Sequence, residues 1–202
     1  MIDARRQAPA VARNRDPILG VLRRHLPETG TLVEVSAGTG EHAAYFAAAF
    51  PGLTWQPTDP DPDARASIAA WARAAKLNTL RPPLALDAAS DTWPVERADA
   101  VLCINMIHIA PWAAAVHLVE GAARVLGAGA PLVLYGPYRR EGRHTAPSNE
   151  AFDADLRRRN PEWGVRDLDA VAALAAENGF ALHEVIEMPT NNLTVVFRRV
   201  DP

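Results

Sequence analysis

Residues 32–46 read LVEVSAGTGEHAAYF, and the pattern of this stretch changes halfway along it. An apolar strand pattern leads into small residues with two glycines, Gly38 and Gly40, and an alanine-rich helical pattern begins at once. Glycine has no Cβ, so a ligand can approach the backbone there and φ can be positive. The stretch predicts a strand, a tight turn and a helix whose N-terminus carries partial positive charge.

Apolar strand patterns alternate with helical patterns over the first two thirds of the chain. Strands are predicted near residues 31–35, 53–57, 83–86, 98–105 and 131–135, with helices between them. This alternation is typical of a parallel sheet with helices on both faces. The last pattern, FALHEVIEMPTNNLTVVFRR at residues 180–199, instead predicts an antiparallel hairpin. We expect one α/β domain, residues 1–202, with a mostly parallel seven-stranded sheet and this hairpin at its end.

Composition narrows the class of partner. Hydrophobic residues make up 49% of the 202, and the formal net charge of −3 does not favour nucleic acid or an anionic membrane. Cys103 is the one cysteine, so no internal disulfide forms and a reducing compartment is indicated. The chain starts without a secretory pattern and has no stretch apolar enough to span a membrane, so we expect a cytoplasmic protein.

The glycine turn and the second predicted strand together indicate a nucleoside site. Residues 38–43 fit the pattern G-x-G-x-x-G/A, and Asp59 stands at the end of the second predicted strand. An acidic side chain there can accept both hydroxyls of a ribose, which indicates an adenosine-type ligand. Glu34 ends the first predicted strand; a carboxylate suits a cationic amino group and not a pyrophosphate. S-adenosylmethionine fits both carboxylates, whereas small residues in a tight turn without a ligand remain the alternative.

Several motifs resemble those of class I S-adenosylmethionine-dependent methyltransferases. VEVSAGTGEH resembles their motif E/D-x-G-x-G-x-G, with Ser36 in place of the first glycine. QPTDPD, LALDAA and ADAVLCINMIHIAPW resemble the motifs at their second, third and fourth strands. RNRDPIL, SAGTGEH and NMIHIAPW together resemble a small methyltransferase-like family whose substrate is not established. The resemblance implies the Rossmann-like class I methyltransferase fold over nearly the whole chain.

The resemblance also implies a set of site residues. Residues 1–27 are expected to form an N-terminal lid and helix, and residues 137–165 an insertion on the substrate side. His108, just after the fourth predicted strand, is the candidate base, although it is equally consistent with a packed histidine. The substrate side would include Asn14, Tyr138, Arg139 and His144, although the arginines of this region can also form a solvated surface. The cofactor would contact Glu34, Ser36, Ala37, Gly38, Gly40, His42, Asp59, Asp87, Ala88, Asn105 and Met106.

These features predict an enzyme that transfers a methyl group from S-adenosylmethionine directly to a small molecule, leaving S-adenosylhomocysteine. The histidines lack metal-ligand spacing, so no metal is expected. One alternative is a nucleoside-binding module without catalysis. An NAD-dependent oxidoreductase is disfavoured, since Lys76 is the only lysine and has no tyrosine four residues before it.

Overall fold

The computed structural model describes residues 3–88, 90 and 92–200. Its helices are α1 (Pro9–His25), α2 (Glu41–Ala49), α3 (Pro62–Ala75), α4 (Trp112–Val125), α5 (Pro147–Arg159) and α6 (Leu168–Glu177). Its strands are β1 (Gly30–Val35), β2 (Leu53–Pro57), β3 (Ala100–Ile104), β4 (Pro131–Arg140), β5 (Arg143–His144), β6 (Arg166–Asp167), β7 (Phe180–Met188) and β8 (Asn192–Arg199). Short 3-10 turns lie at Met106–His108 and Pro189–Asn191.

The strands form one sheet in the order β2-β1-β3-β4-β8-β7. The first four strands of this order pair in parallel, and β8 is antiparallel to both β4 and β7. The predicted α/β fold, with its mostly parallel sheet and closing hairpin, is therefore confirmed. Because the parallel strands share a direction, their carboxyl ends meet at one edge, where α/β sheets bind ligands.

The number of strands differs from the prediction: the described sheet has eight, not seven. The two-residue strands β5 and β6 both pair with β4 outside the main order. The strand predicted at residues 83–86 makes only an isolated bridge between Leu84 and Thr58. Pro82 lies just before this segment and Pro83 is its first residue. Neither proline has a backbone N–H to donate, which limits regular strand pairing there.

The core lies on both faces of the sheet because successive strand residues point to opposite sides. Leu32 of β1 packs in a cluster with Ile18 of α1 and Phe46 of α2, whereas its neighbour Val33 packs with Leu118 of α4 on the other face. All five side chains are fully buried. This two-sided burial holds the strand ends rigidly in place.

Two features of the chain differ from what their local sequence favours. Proline is typical of the first turn of a helix, yet Pro17 lies inside α1, which begins at Pro9. Residues 137–150 are rich in arginine, proline and glycine, which is typical of a loop, yet they begin with the continuation of β4 to Arg140 and pass through β5 into α5. Within the described part of the chain, no helix combines the length and apolar character that a bilayer crossing requires.

Candidate functional site

A cavity of about 530 Å³ lies beyond the carboxyl ends of β1, β2 and β3, and we call it the strand-end cavity. Its polar wall carries Ser36, Gly38, Asp59 and Asp87. Its apolar wall is formed by Ala88, Ile104, Met106, Ile109, Ala110, Pro111, Ala113 and Ala114, with Pro60 beside Asp59. Six of the predicted cofactor residues therefore line one cavity: Ser36, Gly38, Asp59, Asp87, Ala88 and Met106.

In the turn between β1 and α2, glycine is required at Gly38 and at Gly40 for different structural reasons. Both have positive φ, +59° at Gly38 and +81° at Gly40. A Cβ on Gly40 would lie 2.6 Å from the Cα of Ile68, so this glycine permits α2 and α3 to pack closely. A Cβ on Gly38 would meet no atom within 4 Å, because Gly38 faces the strand-end cavity. Ser36, which stands at the position of the first glycine in the motif E/D-x-G-x-G-x-G, also has positive φ, at +56°.

Asp59 is fixed at the wall of the strand-end cavity. Its Oδ2 accepts a hydrogen bond from the backbone N–H of Gly38 at 2.9 Å, and its Oδ1 accepts one from that of Asp61 at 3.0 Å. Burial raises the pKa of Asp59, and these two hydrogen bonds oppose that rise. A carboxylate has about four acceptor positions, so each oxygen retains capacity for a ligand hydroxyl.

Glu34, expected to reach a cationic ligand, does not line the strand-end cavity. The side chain is buried and accepts a hydrogen bond from Trp55 Nε1 at 2.7 Å. Burial raises the pKa of Glu34 to about 7, which the bond from Trp55 partly opposes. Ala37 is also buried and donates its N–H to the carbonyl of Thr58. Only one of the two expected strand-tip carboxylates, Asp59, is thus presented to the cavity.

A second cavity of about 470 Å³ adjoins the first, and we call it the side cavity. Ile109 lines both cavities, and Asn105 of the side cavity is the chain neighbour of Met106 in the strand-end cavity. Asn105 has positive φ, +63°, and leaves β3 in the left-handed region, where strained residues cluster at functional sites. The remaining side-cavity wall comes from α1, β4, α5 and the turn before β8: Ala10, Arg13, Asn14, Tyr135, Pro137, Ser148, Asn149, Phe152, Arg159, Thr190 and Asn192.

Asn14, expected on the substrate side, does line the side cavity, and His42 holds it there. The His42 Nε2 atom lies 2.9 Å from Asn14 Oδ1, and this oxygen can only accept, so His42 donates. Burial lowers the pKa of His42 to about 4, so the ring is neutral at pH 7. The ring also stacks on Phe46. His42 lines neither cavity and instead ties α1 to α2.

His108, the candidate base, lines neither cavity. The ring is fully buried, and its Nδ1 accepts a hydrogen bond from the backbone N–H of Arg166 at 3.2 Å. Its Nε2 points at Gly136, where a Cβ would lie only 2.5 Å away. Burial lowers the pKa of His108 to about 3, with Arg166 as the second cause. His108 is therefore a neutral histidine, packed in the protein interior and outside both cavities.

Three other expected substrate-side residues also lie outside both cavities. Tyr138 is fully buried, with its ring edge-on to His108 at 5.0 Å. His144 lies 3.5 Å from the carboxylate of Asp153, and Arg139 sits on β4 paired with His144. Tyr138 and Arg139 thus lie on β4 and His144 on β5, so all three belong to strands of the sheet.

The sequence interpretation included only Asn14 and Asn105 of the side-cavity residues; among those it missed are Arg13, Tyr135, Phe152 and Arg159. Tyr135 stood at the end of a predicted strand, which is a usable signal because such positions gather at the ligand-binding edge. The other three lie on α1 and α5, far apart in sequence. Only the tertiary packing of these helices brings them to one cavity, and no local pattern predicts that packing.

Solved structures with a similar fold include several methyltransferases. An O-methyltransferase family protein from Burkholderia thailandensis is 17% identical, with a TM-score of 0.81 over 95% of this chain and 58% of that chain. A family 2 O-methyltransferase from Planctomyces limnophilus, in complex with apigenin, is 18% identical, with a TM-score of 0.79 over 95% of this chain and 58% of that chain. CalO1, a methyltransferase of calicheamicin biosynthesis with S-adenosylhomocysteine bound, is 17% identical, with a TM-score of 0.75 over 95% and 54%.

These comparisons define the class of fold: it is that of class I S-adenosylmethionine-dependent methyltransferases. The chain spans little more than half the length of the solved structures it matches. Residues 5–199 match the family described as "Protein of unknown function (DUF938)", and the chain belongs to that family.

Proposed function

We propose that the protein transfers a methyl group from S-adenosylmethionine to a small molecule. One observation carries the choice of cofactor. Among the described residues that line the strand-end cavity, two are carboxylates, Asp59 and Asp87, and none is Arg, Lys or His. A dinucleotide brings a pyrophosphate, and a lining with two carboxylates and no cationic side chain disfavours that negative charge. A ligand with a positive charge and no phosphate is favoured by the same lining.

The residues of the strand-end cavity fit the separate parts of S-adenosylmethionine. Asp59, held by two backbone N–H groups, would accept the ribose hydroxyls. Ala88, Met106 and the apolar residues after β3 would contact the adenine ring, with Asp87 at the rim. Gly38 offers backbone without a side chain beside this space. The bound S-adenosylhomocysteine of CalO1, a protein of the same fold, supports this assignment.

The side cavity would hold the methyl acceptor, because the two cavities meet at Ile109. When bound, S-adenosylmethionine would supply a methyl group on a positively charged sulfur: a nucleophilic acceptor atom would bond to the methyl carbon, and the sulfur would leave as the neutral thioether of S-adenosylhomocysteine. The protein contributes orientation, since Asn105 and Met106 place the two cavity walls side by side, and proximity alone lowers such a barrier substantially. His108 is not used as a base in this proposal, since its ring lines neither cavity. The Planctomyces limnophilus neighbour, solved with apigenin, supports a small-molecule acceptor.

The N-terminal segment, residues 1–27, would cover the acceptor and not the cofactor. Residues 1 and 2 lie outside the described residues; Ala10, Arg13 and Asn14 line the side cavity. The segment is held against α3: the Arg6 N–H donates to Ser67 Oγ at 2.8 Å, and Trp71 Nε1 donates to the Arg6 carbonyl at 2.8 Å. We propose that this segment and the rest of the chain, residues 1–202, act as one domain.

Calorimetry with S-adenosylmethionine, S-adenosylhomocysteine and NAD tests the cofactor. The first two are expected to bind and NAD is not. Asp59→Ala should weaken S-adenosylhomocysteine binding about tenfold or more, since it removes charge-assisted hydrogen bonds to the ribose. Asp155→Ala, which removes an exposed carboxylate on α5, is the matched control and should bind normally. NAD binding without any response to the other two, or equal affinities of the two variants, would overturn the proposal.

Turnover separates an enzyme from a nucleoside-binding module. Incubation with methyl-labelled S-adenosylmethionine and a library of small phenols, amines, thiols and carboxylic acids should yield a labelled product. The same incubation with Asp59→Ala should lose that product at limiting cofactor. Tight cofactor binding with no transfer to any member would favour the non-catalytic alternative.

A further inference from the structure

The side cavity is locally cationic in a protein that is acidic overall. Arg13 from α1 and Arg159 from α5 both line it, and no described lining residue is Asp or Glu. The formal net charge of the chain is −3, so this concentration of positive charge is a property of the cavity and not of the whole surface. Such a lining attracts an anion and disfavours a cationic ligand.

Both guanidinium groups keep donors for a ligand. Within the described residues, Arg13 forms no ion pair inside 4.0 Å. Arg159 reaches Asp155 at only 4.0 Å, the outer limit of such a contact, and lies over the Trp163 ring at 5.1 Å. Stacking on Trp163 restrains the Arg159 side chain without using its hydrogen-bond donors, and a guanidinium presents five of these.

The same cavity also presents apolar surface. Four large hydrophobic residues are exposed in the described part of the chain, and two of them, Ile109 at 41% and Phe152 at 39%, line the side cavity. Exposed apolar side chains that gather at a cavity mark a surface that an apolar ligand covers. The ligand therefore needs an apolar body as well as an anionic group.

We propose that the side cavity recognises an organic anion, in the simplest case an aromatic carboxylate, with Arg13 and Arg159 on the carboxylate and Ile109 and Phe152 on the ring. That this ligand is the methyl acceptor rests on the function proposed above; that the cavity binds it does not. Ile109 lines both cavities, so the apolar body is the part of the ligand that lies toward the strand-end cavity. The methylated atom is then on this body or beside it, and the carboxylate anchors the far end.

Matched acids and amides test the charge requirement. Benzoate, 4-hydroxybenzoate and 4-hydroxyphenylacetate are each titrated against the corresponding neutral amide, by calorimetry, with and without S-adenosylhomocysteine. At least one acid is expected to bind about tenfold or more tightly than its amide, because hydrogen bonds to a charged group are the stronger ones. The preference should shrink as salt is added, since both arginines are exposed.

A double substitution tests whether Arg13 and Arg159 cause the preference for the acid over its amide. Arg13→Gln with Arg159→Gln should bring acid and amide to similar affinity and leave S-adenosylhomocysteine binding unchanged, since neither residue lines the strand-end cavity. Arg23→Gln with Arg158→Gln removes the same charge from the same two helices but not from the cavity, and should keep the preference.

The outcomes separate the two proposals. Equal binding of acids and amides, no binding of any of them, or a preference that the Arg13/Arg159 variant retains would each overturn the anion inference. If the wild-type protein binds the acids more tightly than the amides but binds neither S-adenosylmethionine nor S-adenosylhomocysteine, the inference about the side cavity stands. The same result would overturn the proposed methyl transfer.

Discussion

The carboxylate of Asp59 accepts a hydrogen bond from the backbone N–H of Gly38 at 2.9 Å, and so the end of β2 holds the turn that follows β1. The acidic residue and the glycine turn are one unit: the same carboxylate that would bind a ribose also positions the backbone beside it. In this turn Gly38 faces the strand-end cavity, whereas Gly40 faces α3.

The two glycines are therefore expected to respond differently to the same change. Gly40→Ala should lower the free energy of unfolding by about 2–4 kcal/mol, because positive φ and a clash with the Ile68 backbone add together. Gly38→Ala should cost only about 1–2 kcal/mol, from its φ alone, but should weaken S-adenosylhomocysteine binding about tenfold, since the methyl group enters the cavity. Urea unfolding and calorimetry measure the two effects.

Gly129 provides the control for these substitutions. It has positive φ, +76°, and a Cβ there would meet no atom within 4 Å, as at Gly38, but it lies away from the strand-end cavity. Gly129→Ala should match Gly38→Ala in stability and keep normal binding. If Gly38→Ala binds S-adenosylhomocysteine as well as Gly129→Ala does, Gly38 does not face the ligand.

The sequence predicted the strand-end cavity better than the side cavity, for a physical reason. Ser36, Asp59 and Met106 each follow a strand, and the ends of parallel strands meet at one edge, so local patterns were enough. Arg13 and Arg159 line one cavity only because α1 and α5 both lie at that edge, which depends on contacts distant in sequence.

Charged residues inside a strand pattern were harder to place. Glu34 is the penultimate residue of β1, yet its carboxylate accepts a hydrogen bond from Trp55 on β2, a partner that no spacing rule indicated. His108 follows β3 at the expected point, yet the short 3-10 turn directs its ring inward toward Tyr138. Side-chain direction at a strand end depends on such partners, so position along the chain does not reveal it.

Glu34→Gln should change how stability depends on pH. The pKa of Glu34 is raised from 4.5 to about 7 in the folded protein, so between these values the folded state binds more protons than the unfolded state. The free energy of unfolding therefore falls as pH rises through this window. Glutamine cannot ionise and can still accept the bond from Trp55, so the variant should gain on the order of 3 kcal/mol relative to wild type between pH 4.5 and 7.

Urea unfolding at several pH values measures this difference. Glu187→Gln is the control, because the Glu187 side chain is 81% exposed and its loss should leave the pH dependence as in wild type. Parallel curves for wild type and Glu34→Gln would show that Glu34 ionises in the folded protein as it does in the unfolded chain.

His108→Asn should act in the opposite direction. The pKa of His108 is lowered from 6.5 to about 3 in the folded protein. Between these pH values the histidine binds a proton in the unfolded chain but not in the folded protein. Stability from this group is lost as pH falls, on the order of 3 kcal/mol by about pH 4. The asparagine side chain would keep an acceptor for the Arg166 N–H, so the variant should lose less stability on acidification.

Two comparisons make this prediction specific. His183→Asn, at an exposed position, should retain the acid sensitivity of wild type. S-adenosylhomocysteine affinity should be equal in wild type and His108→Asn, because the ring lines neither cavity. A bell-shaped turnover profile that loses one limb in His108→Asn would instead identify His108 as a catalytic base.

The contact between Asn14 and His42 should couple the N-terminal segment to the rest of the fold. Asn14→Ala leaves the buried His42 N–H without its acceptor and should cost about 1–3 kcal/mol of unfolding free energy. His42→Phe removes the donor and keeps a ring to stack on Phe46, so its cost should be smaller. In the double variant neither polar group is left unpaired, and the two costs should be non-additive by about 1 kcal/mol or more.

A double-mutant cycle by urea unfolding measures this coupling, and limited proteolysis reports where the loosening occurs. Asn14→Ala should expose α1 to cleavage before the sheet, because α1 meets α2 through this buried contact. The Asp3–Arg5 pair is the control: it is exposed, and Asp3→Ala with Arg5→Ala should change stability little. Additive costs at Asn14 and His42 would mean that this hydrogen bond does not couple α1 to α2. Coupled costs would mean that His42 on α2 fixes one wall of the side cavity through its hydrogen bond to Asn14.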